Sequence, residues 1–265
     1  MPPLPSPVVR VLSHPFGEAR AAPFEVETGD GVRLVGTRLG DAGPAIVLCH
    51  GFSGWHTKTR SAMFAEAFAR WCIVYAFDFR GHGRSEGETT FGALEIRDVA
   101  AVLDHARTEG HDPVATVGSS MGGVAAIRHA ALIGGADAVV SISAPAQWDG
   151  HQSESVRRMA WVAASPRGRR VAQAFGVRIA AHIDRPEAPE DVIGSIAPVP
   201  VLVVHGRDDH YFDEEEAWRL YRRAGDPKSL WLATTFGHAE DGFSDQLAER
   251  IARRLFREWG LPWPG

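Results

Sequence analysis

Short, largely apolar runs punctuate this chain at 45–49, 72–77, 113–117, 138–142, 201–204 and 230–233, broken only by Thr116 and Ser141. Runs of this length suit strands buried on both faces of a sheet. Between them, apolar residues recur at helical spacing. Met63, Phe64, Ala67 and Phe68 form one such set; Leu94, Val99, Val102, Leu103 and Ala106, ended by Gly110, form another. Leu247, Ile251 and Leu255 mark a last one before Gly260. Strands alternating with helices through right-handed crossovers give a mostly parallel sheet with helices on its faces. Ahead of it, residues 24–27 alternate apolar and polar, Gly29-Asp30-Gly31 signals a turn, and 32–37 resumes a strand. That is an N-terminal hairpin. The prediction is an α/β fold with a mostly parallel eight-stranded sheet flanked by helices. Residues 1–22 read as an extended arm.

One segment breaks the alternation. Residues 147–197 carry helical patches and no strand, and they are too long for a connection. They predict a helical cap inserted after the sixth strand, dividing the core into 1–146 and 198–265.

Composition narrows the function. A formal charge of −5 over 265 residues argues against a general nucleic-acid binder. The start, Met1-Pro2-Pro3-Leu4-Pro5, lacks the apolar core of a signal peptide. No apolar run approaches the roughly 20 residues that span a membrane. A cytoplasmic protein is the simplest expectation. Cys49 ends one run and Cys72 begins the next, so on parallel neighbouring strands they sit on the order of 15 Å apart. A disulfide needs Cα atoms within about 7 Å, so free thiols are expected. The 12 histidines are scattered, and neither a metal site nor a cofactor is suggested.

In a parallel sheet, ligands bind outside the carboxyl ends of the strands. The residues just after each run are therefore informative. His50-Gly51-Phe52-Ser53-Gly54 succeeds the first and Asp78-Phe79-Arg80-Gly81-His82-Gly83-Arg84-Ser85 the second. Gly118-Ser119-Ser120-Met121-Gly122 succeeds the third, and here G-x-S-x-G fits in one register only, with Ser120 at its centre. His205-Gly206-Arg207-Asp208-Asp209 and Phe236-Gly237-His238 come after the last two. A lone G-x-S-x-G also describes an ordinary Gly/Ser turn. A sharp strand-to-helix turn would instead leave the Ser120 hydroxyl exposed above the strand end, next to helix N–H groups.

Taken together, these motifs resemble the α/β-hydrolase family, in its branch of capped serine esterases and acylglycerol lipases. The resemblance covers nearly the whole chain and includes the family's order of serine, acid, histidine. It implies Ser120 as nucleophile, activated by a base whose tautomer an acid holds. His238 comes after its own strand and a glycine, as the family's base does; His210 lies beside the candidate acid and is poorly placed. The spacing from Gly206 points to Asp209 as the acid, with Asp149 and Asp208 as competitors. The backbone N–H groups of Phe52 and Met121 map to the oxyanion hole. His50, Asp78, Arg80, His82 and Arg84 read as loop-bracing residues.

Trp148, Met159 and Trp161 are the expected pocket walls. Residues 156–179 hold arginines at 157, 158, 167, 169, 170 and 178 and no acids. They read as a solvated face, or as a lid that attracts anionic substrate or lipid. The expected activity is hydrolysis of a small-molecule carboxylic ester with a medium or aromatic acyl group, through an acyl-enzyme and without a cofactor. Thioester or amide cleavage, or a ligand-binding receptor on the same fold, remain the alternatives. A serine in place of aspartate disfavours haloalkane dehalogenase and epoxide hydrolase chemistry.

Overall fold

A computed structural model describes Val9 and residues 12–17, 21–150, 153–234 and 236–265. Most of the predicted arm lies outside them, and Ala21 and Ala22 already belong to the first strand. The strands are β1 (Ala21–Glu27), β2 (Arg33–Leu39), β3 (Ala45–Cys49), β4 (Ile73–Phe77), β5 (Val114–Ser119), β6 (Ala138–Ile142), β7 (Val201–Gly206) and β8 (Lys228–Ala233). They form one sheet of order β1-β2-β4-β3-β5-β6-β7-β8. The β1–β2 and β2–β4 pairs are antiparallel; all others are parallel.

Burial follows the sequence pattern. The central strands β3 to β7 are buried at every residue, as sheets covered on both faces require. The edge strand β1 alternates instead. Successive side chains point to opposite faces. Ile46 and Leu48 therefore join Phe64 and Phe68 of α1 (Thr59–Phe68) and Leu247, Ile251 and Leu255 of α8 (Asp245–Glu258). Ala45, Val47 and Cys49 face Val99, Val102 and Leu103 of α2 (Glu95–Thr108) on the other side. Each fully buried Phe or Leu contributes about 1.5–3 kcal/mol, so these rows fix the sheet's register. Met63, although at helical spacing, is exposed, and Leu94 precedes its helix.

Parallel register places Cys49 at the end of β3 while Cys72 precedes the start of β4, and both are free thiols. Between β6 and β7 lie α4 (Glu154–Ala164), α5 (Pro166–Ala174) and the short α6 (Pro189–Val192). The chain's return from α5 is stitched to the core by single bridges, Val177 to His82 and Ile179 to Thr89. The remaining helices are α3 (Met121–Leu132) after β5 and α7 (Glu214–Arg223) after β7.

Candidate active site

β5 enters Ser120 and α3 leaves it. Ser120 has φ 51° and ψ −119°, a region that side-chain-bearing residues avoid at a cost of about 1–3 kcal/mol. The turn is pinned by Ser120 N–H donating to the Ile142 carbonyl at 2.8 Å and Val124 N–H donating to the Ser120 carbonyl at 3.0 Å. The flanking glycines are sterically required. A Cβ on Gly118 would lie 2.2 Å from the Gly122 carbonyl oxygen, and one on Gly122 would lie 2.2 Å from that of Cys49. The close approach of β5, α3 and the end of β3 is what lifts the hydroxyl above the sheet.

His238 reaches this apex. Its Nε2 lies 3.0 Å from Ser120 Oγ, and its Nδ1 lies 2.8 Å from Asp209 Oδ2. Nδ1 faces a carboxylate, so that nitrogen carries the proton and Nε2 is left to accept. Asp209 Oδ1 accepts the N–H groups of Tyr211 at 2.8 Å and Phe212 at 3.1 Å. Burial alone would push this carboxyl up; the His238 hydrogen bond and charge, with those two N–H groups, outweigh it and hold it below the usual range. The competing acids are elsewhere. Asp149 pairs with Arg185 on the surface, and Asp208 is exposed. His210 is exposed beside His238, with ring centroids 6.2 Å apart.

The loop after β3 is braced by histidines. His50 Nε2 accepts the Phe79 N–H at 3.0 Å, which assigns the ring proton to Nδ1, and Nδ1 donates to the Gly51 carbonyl at 2.7 Å. That carbonyl shares a rigid peptide plane with the Phe52 N–H, so the ring orients the donor. Burial, helped by neighbouring His82, pushes His50 down to about 3 and keeps it neutral. His82 holds the next carbonyl, that of Phe52, through Nε2. Asp78 takes the His56 N–H and Nδ1–H, each at 2.7 Å, and the Arg84 N–H at 2.8 Å. Arg80 joins Asp30 and the fully buried Asp98. The motif after β4 thus supports the loop that carries Phe52. Neither the Phe52 nor the Met121 N–H has a protein acceptor among the described residues.

Two lobes meet at Ser120. The first, of about 240 Å³, is apolar, with Phe52, Phe91, Val124, Trp148, Met159 and Phe212 among its walls. The second, of about 200 Å³, is polar and adjoins Ser53, Tyr211, His238 and Glu240. Trp148 and Met159 line the apolar lobe. Trp161 does not, and its side chain is 53% exposed. On α4, the residues Val156, Met159, Ala160 and Ala163 face the cavity; their i, i+3, i+4, i+7 spacing turns position 161 to the opposite side. The arginines are partly engaged: Arg158 with Glu154, Arg169 with the carbonyls ending α4, and Arg178 with those of Ser85 and Gly87. Phe91 and Phe212 are walls that periodicity does not single out, because strap and loop residues have no repeating face.

Among the described residues, no group of three or more His, Cys, Asp or Glu could hold a metal ion, and no helix is long and apolar enough to cross a membrane.

Solved structures share this architecture. A Pyrococcus furiosus esterase superposes with TM-score 0.75 at 23% identity, covering 96% of this chain and 98% of that one. A putative aryl esterase from Burkholderia cenocepacia gives 0.69 at 16% identity, covering 90% and 100%. In sequence, the chain is 25% identical to YfhR of Escherichia coli over 85% of its length and 76% of that protein. Protein phosphatase methylesterase 1 of Mus musculus is 34% identical across 40% of this chain and 28% of its own. The model of the alpha/beta hydrolase family matches residues 46–263. With that match spanning most of the chain, this protein belongs to the alpha/beta hydrolase family.

Proposed function

We propose that this hydrolase is a serine esterase that cleaves carboxylic esters through an acyl-enzyme. The observation that carries the reading is the continuous chain Asp209–His238–Ser120, with links of 2.8 and 3.0 Å, ending on a strained serine at the floor of a cavity. A serine hydroxyl is a poor nucleophile until a base takes its proton. His238 Nε2 takes it as Oγ attacks the carbonyl, and Asp209 stabilises the imidazolium. The developing oxyanion falls to the N–H groups of Phe52 and Met121, the latter at the positive end of α3. The imidazolium then returns its proton to the leaving oxygen, so the alcohol must lie on the His238 side. The polar lobe adjoins that side and suits the alcohol; the apolar lobe suits the acyl group. Water repeats the sequence to release the acid. The segment 147–197 serves as a cap, with α4 roofing the acyl lobe.

The test is a fluorophosphonate probe with a panel of p-nitrophenyl esters, thioesters and anilides. Stoichiometric labelling that disappears in Ser120→Ala, with esters turned over fastest, supports the reading. An unlabelled, inert protein that still binds small acids favours a receptor. Dominant thioester or anilide turnover moves the leaving group and keeps the machinery.

A further inference from the structure

Between β4 and α2 a strap of chain crosses the end of the apolar lobe. At its centre Phe91 has φ 56°, a conformation that a bulky side chain rarely takes. The ring is placed with purpose. It stacks on Phe52 with centroids 4.4 Å apart and planes inclined by 23°. One side of it lines the lobe that contains Ser120. It also packs against Ala172, Val177 and Ile179, the small apolar cluster at the end of α5 and just after it. Phe91 therefore stands between the lobe and that cluster.

What keeps it there is a buried carboxylate. Glu95 is fully buried at the start of α2. It accepts hydrogen bonds from Thr89 Oγ1 at 2.6 Å, Thr90 N–H at 2.7 Å, Thr90 Oγ1 at 2.8 Å and Gly92 N–H at 2.7 Å. No lysine or arginine pairs with it among the described residues. The donors come from both sides of Phe91, so the carboxylate folds the strap around that residue. The outer ends are fixed as well. Thr89 pairs through its main chain with Arg178 and Ala180, and Arg128 donates to the Gly92 carbonyl at 2.6 Å.

We infer that Phe91 is the partition that limits acyl length in this site, and that Glu95 is the positioning residue that holds the partition closed. The inference rests on the serine-esterase reading for its assignment of the apolar lobe to the acyl group. With Phe91 in place the acyl chain ends against its ring. With the ring removed, the lobe gains the volume that the ring fills, up to the Ala172–Val177–Ile179 cluster, and admits longer linear acyl chains.

Phe91→Gly is the decisive variant, because glycine accepts the positive φ without strain and the fold should survive. The ratio of decanoyl to acetyl p-nitrophenyl ester kcat/KM is expected to rise about tenfold or more, the discrimination that a few methylenes give. Glu95→Gln should move the ratio the same way. In the double variant Glu95→Gln should add nothing further, since it acts through Phe91; a purely structural glutamate would lower stability and leave the ratio alone. Should Glu95→Gln fail to fold, Thr90→Val removes one of the donors and is expected to give a smaller shift in the same direction. An unchanged ratio in folded, fluorophosphonate-labelled Phe91→Gly overturns the inference. Thermal shifts with free carboxylic acids of graded length probe the partition without catalysis. A change in preferred length there, in a protein that neither labels nor hydrolyses, would keep the partition and sink the esterase reading.

Discussion

Ser120 and Phe91 line the same cavity, and both hold positive φ angles, 51° and 56°. Their strain has different origins. At Ser120 it is imposed by backbone pressed against backbone, with Gly118 and Gly122 admitting contacts that no Cβ could share. At Phe91 it is imposed by a side chain, the Glu95 carboxylate gathering donors from either flank. The first kind of strain is rigid. The second can be released by a single substitution. On the proposed reading, strain at Ser120 serves the chemistry and strain at the strap serves selection.

The largest expected effect is on the chemical side. Ser120→Ala should reduce ester kcat/KM by about 10⁴-fold or more while leaving the urea midpoint nearly unchanged. Ser119→Ala should keep most activity, because Ser119 belongs to β5 and its hydroxyl is buried away from the lobes. Equal losses in the two serine variants would remove Ser120 from the apex role. Asp209→Asn comes next, with a drop of about 10⁴-fold in kcat from the wrong imidazole tautomer. Asp149→Asn, whose partner is a surface arginine, is expected to be silent. A silent Asp209→Asn would break the proposed chain at its first link.

Gly122→Ala probes backbone strain directly. Its methyl would meet the Cys49 and His50 carbonyl oxygens at 2.2 and 2.6 Å, neither of which can rotate away. Destabilisation of about 3 kcal/mol or more is expected in urea unfolding, whereas in Phe91→Gly relief of the positive φ offsets part of the packing lost with the ring, so a smaller destabilisation is expected. If both glycine-related variants shifted the midpoint alike, the distinction between the two kinds of strain would fall.

Acid gives the most graded effect, spread over several pH units. Burial pushes His50 down to about 3 and His129 down to about 4, whereas unfolded histidine titrates near about 6.5. Between these values the unfolded chain binds more protons than the native one, so stability is full above about pH 6.5 and declines as pH falls. Each pH unit of the gap contributes about 1.4 kcal/mol per histidine. The urea midpoint should therefore fall steadily from pH 6.5 to 4; a level midpoint over that range would contradict neutral burial of these rings.

The parts of the molecule legible in the sequence are those whose causes are local. The sheet could be read because β3 to β7 each carry their burial in consecutive residues. The turn at Ser120 could be read because its glycines lie within the same pentapeptide. The proposed acid was harder: Asp208, Asp209 and Asp149 differ in which one the loop turns inward, and the Tyr211 and Phe212 N–H groups hold Asp209 Oδ1 while its Oδ2 meets His238. Trp161 shows where composition misleads. A tryptophan in a cap helix suggests a wall, yet the rotation of α4 is set by which of its faces meets the core. Phe91 left no trace, since its conformation depends on Glu95, on Arg128 and on a cap segment distant in sequence.

The bridges from Val177 and Ile179 to the loops beneath them have an evolutionary consequence. On the entering side, Ala146 N–H donates to Glu216 of α7 at 2.7 Å. The helical hairpin of α4 and α5 thus hangs between two points sewn to the scaffold by hydrogen bonds. Everything between those seams can be lengthened, shortened or exchanged without asking the sheet to change its register. A lineage built on this plan can vary the hairpin while the sheet beneath it stays constant.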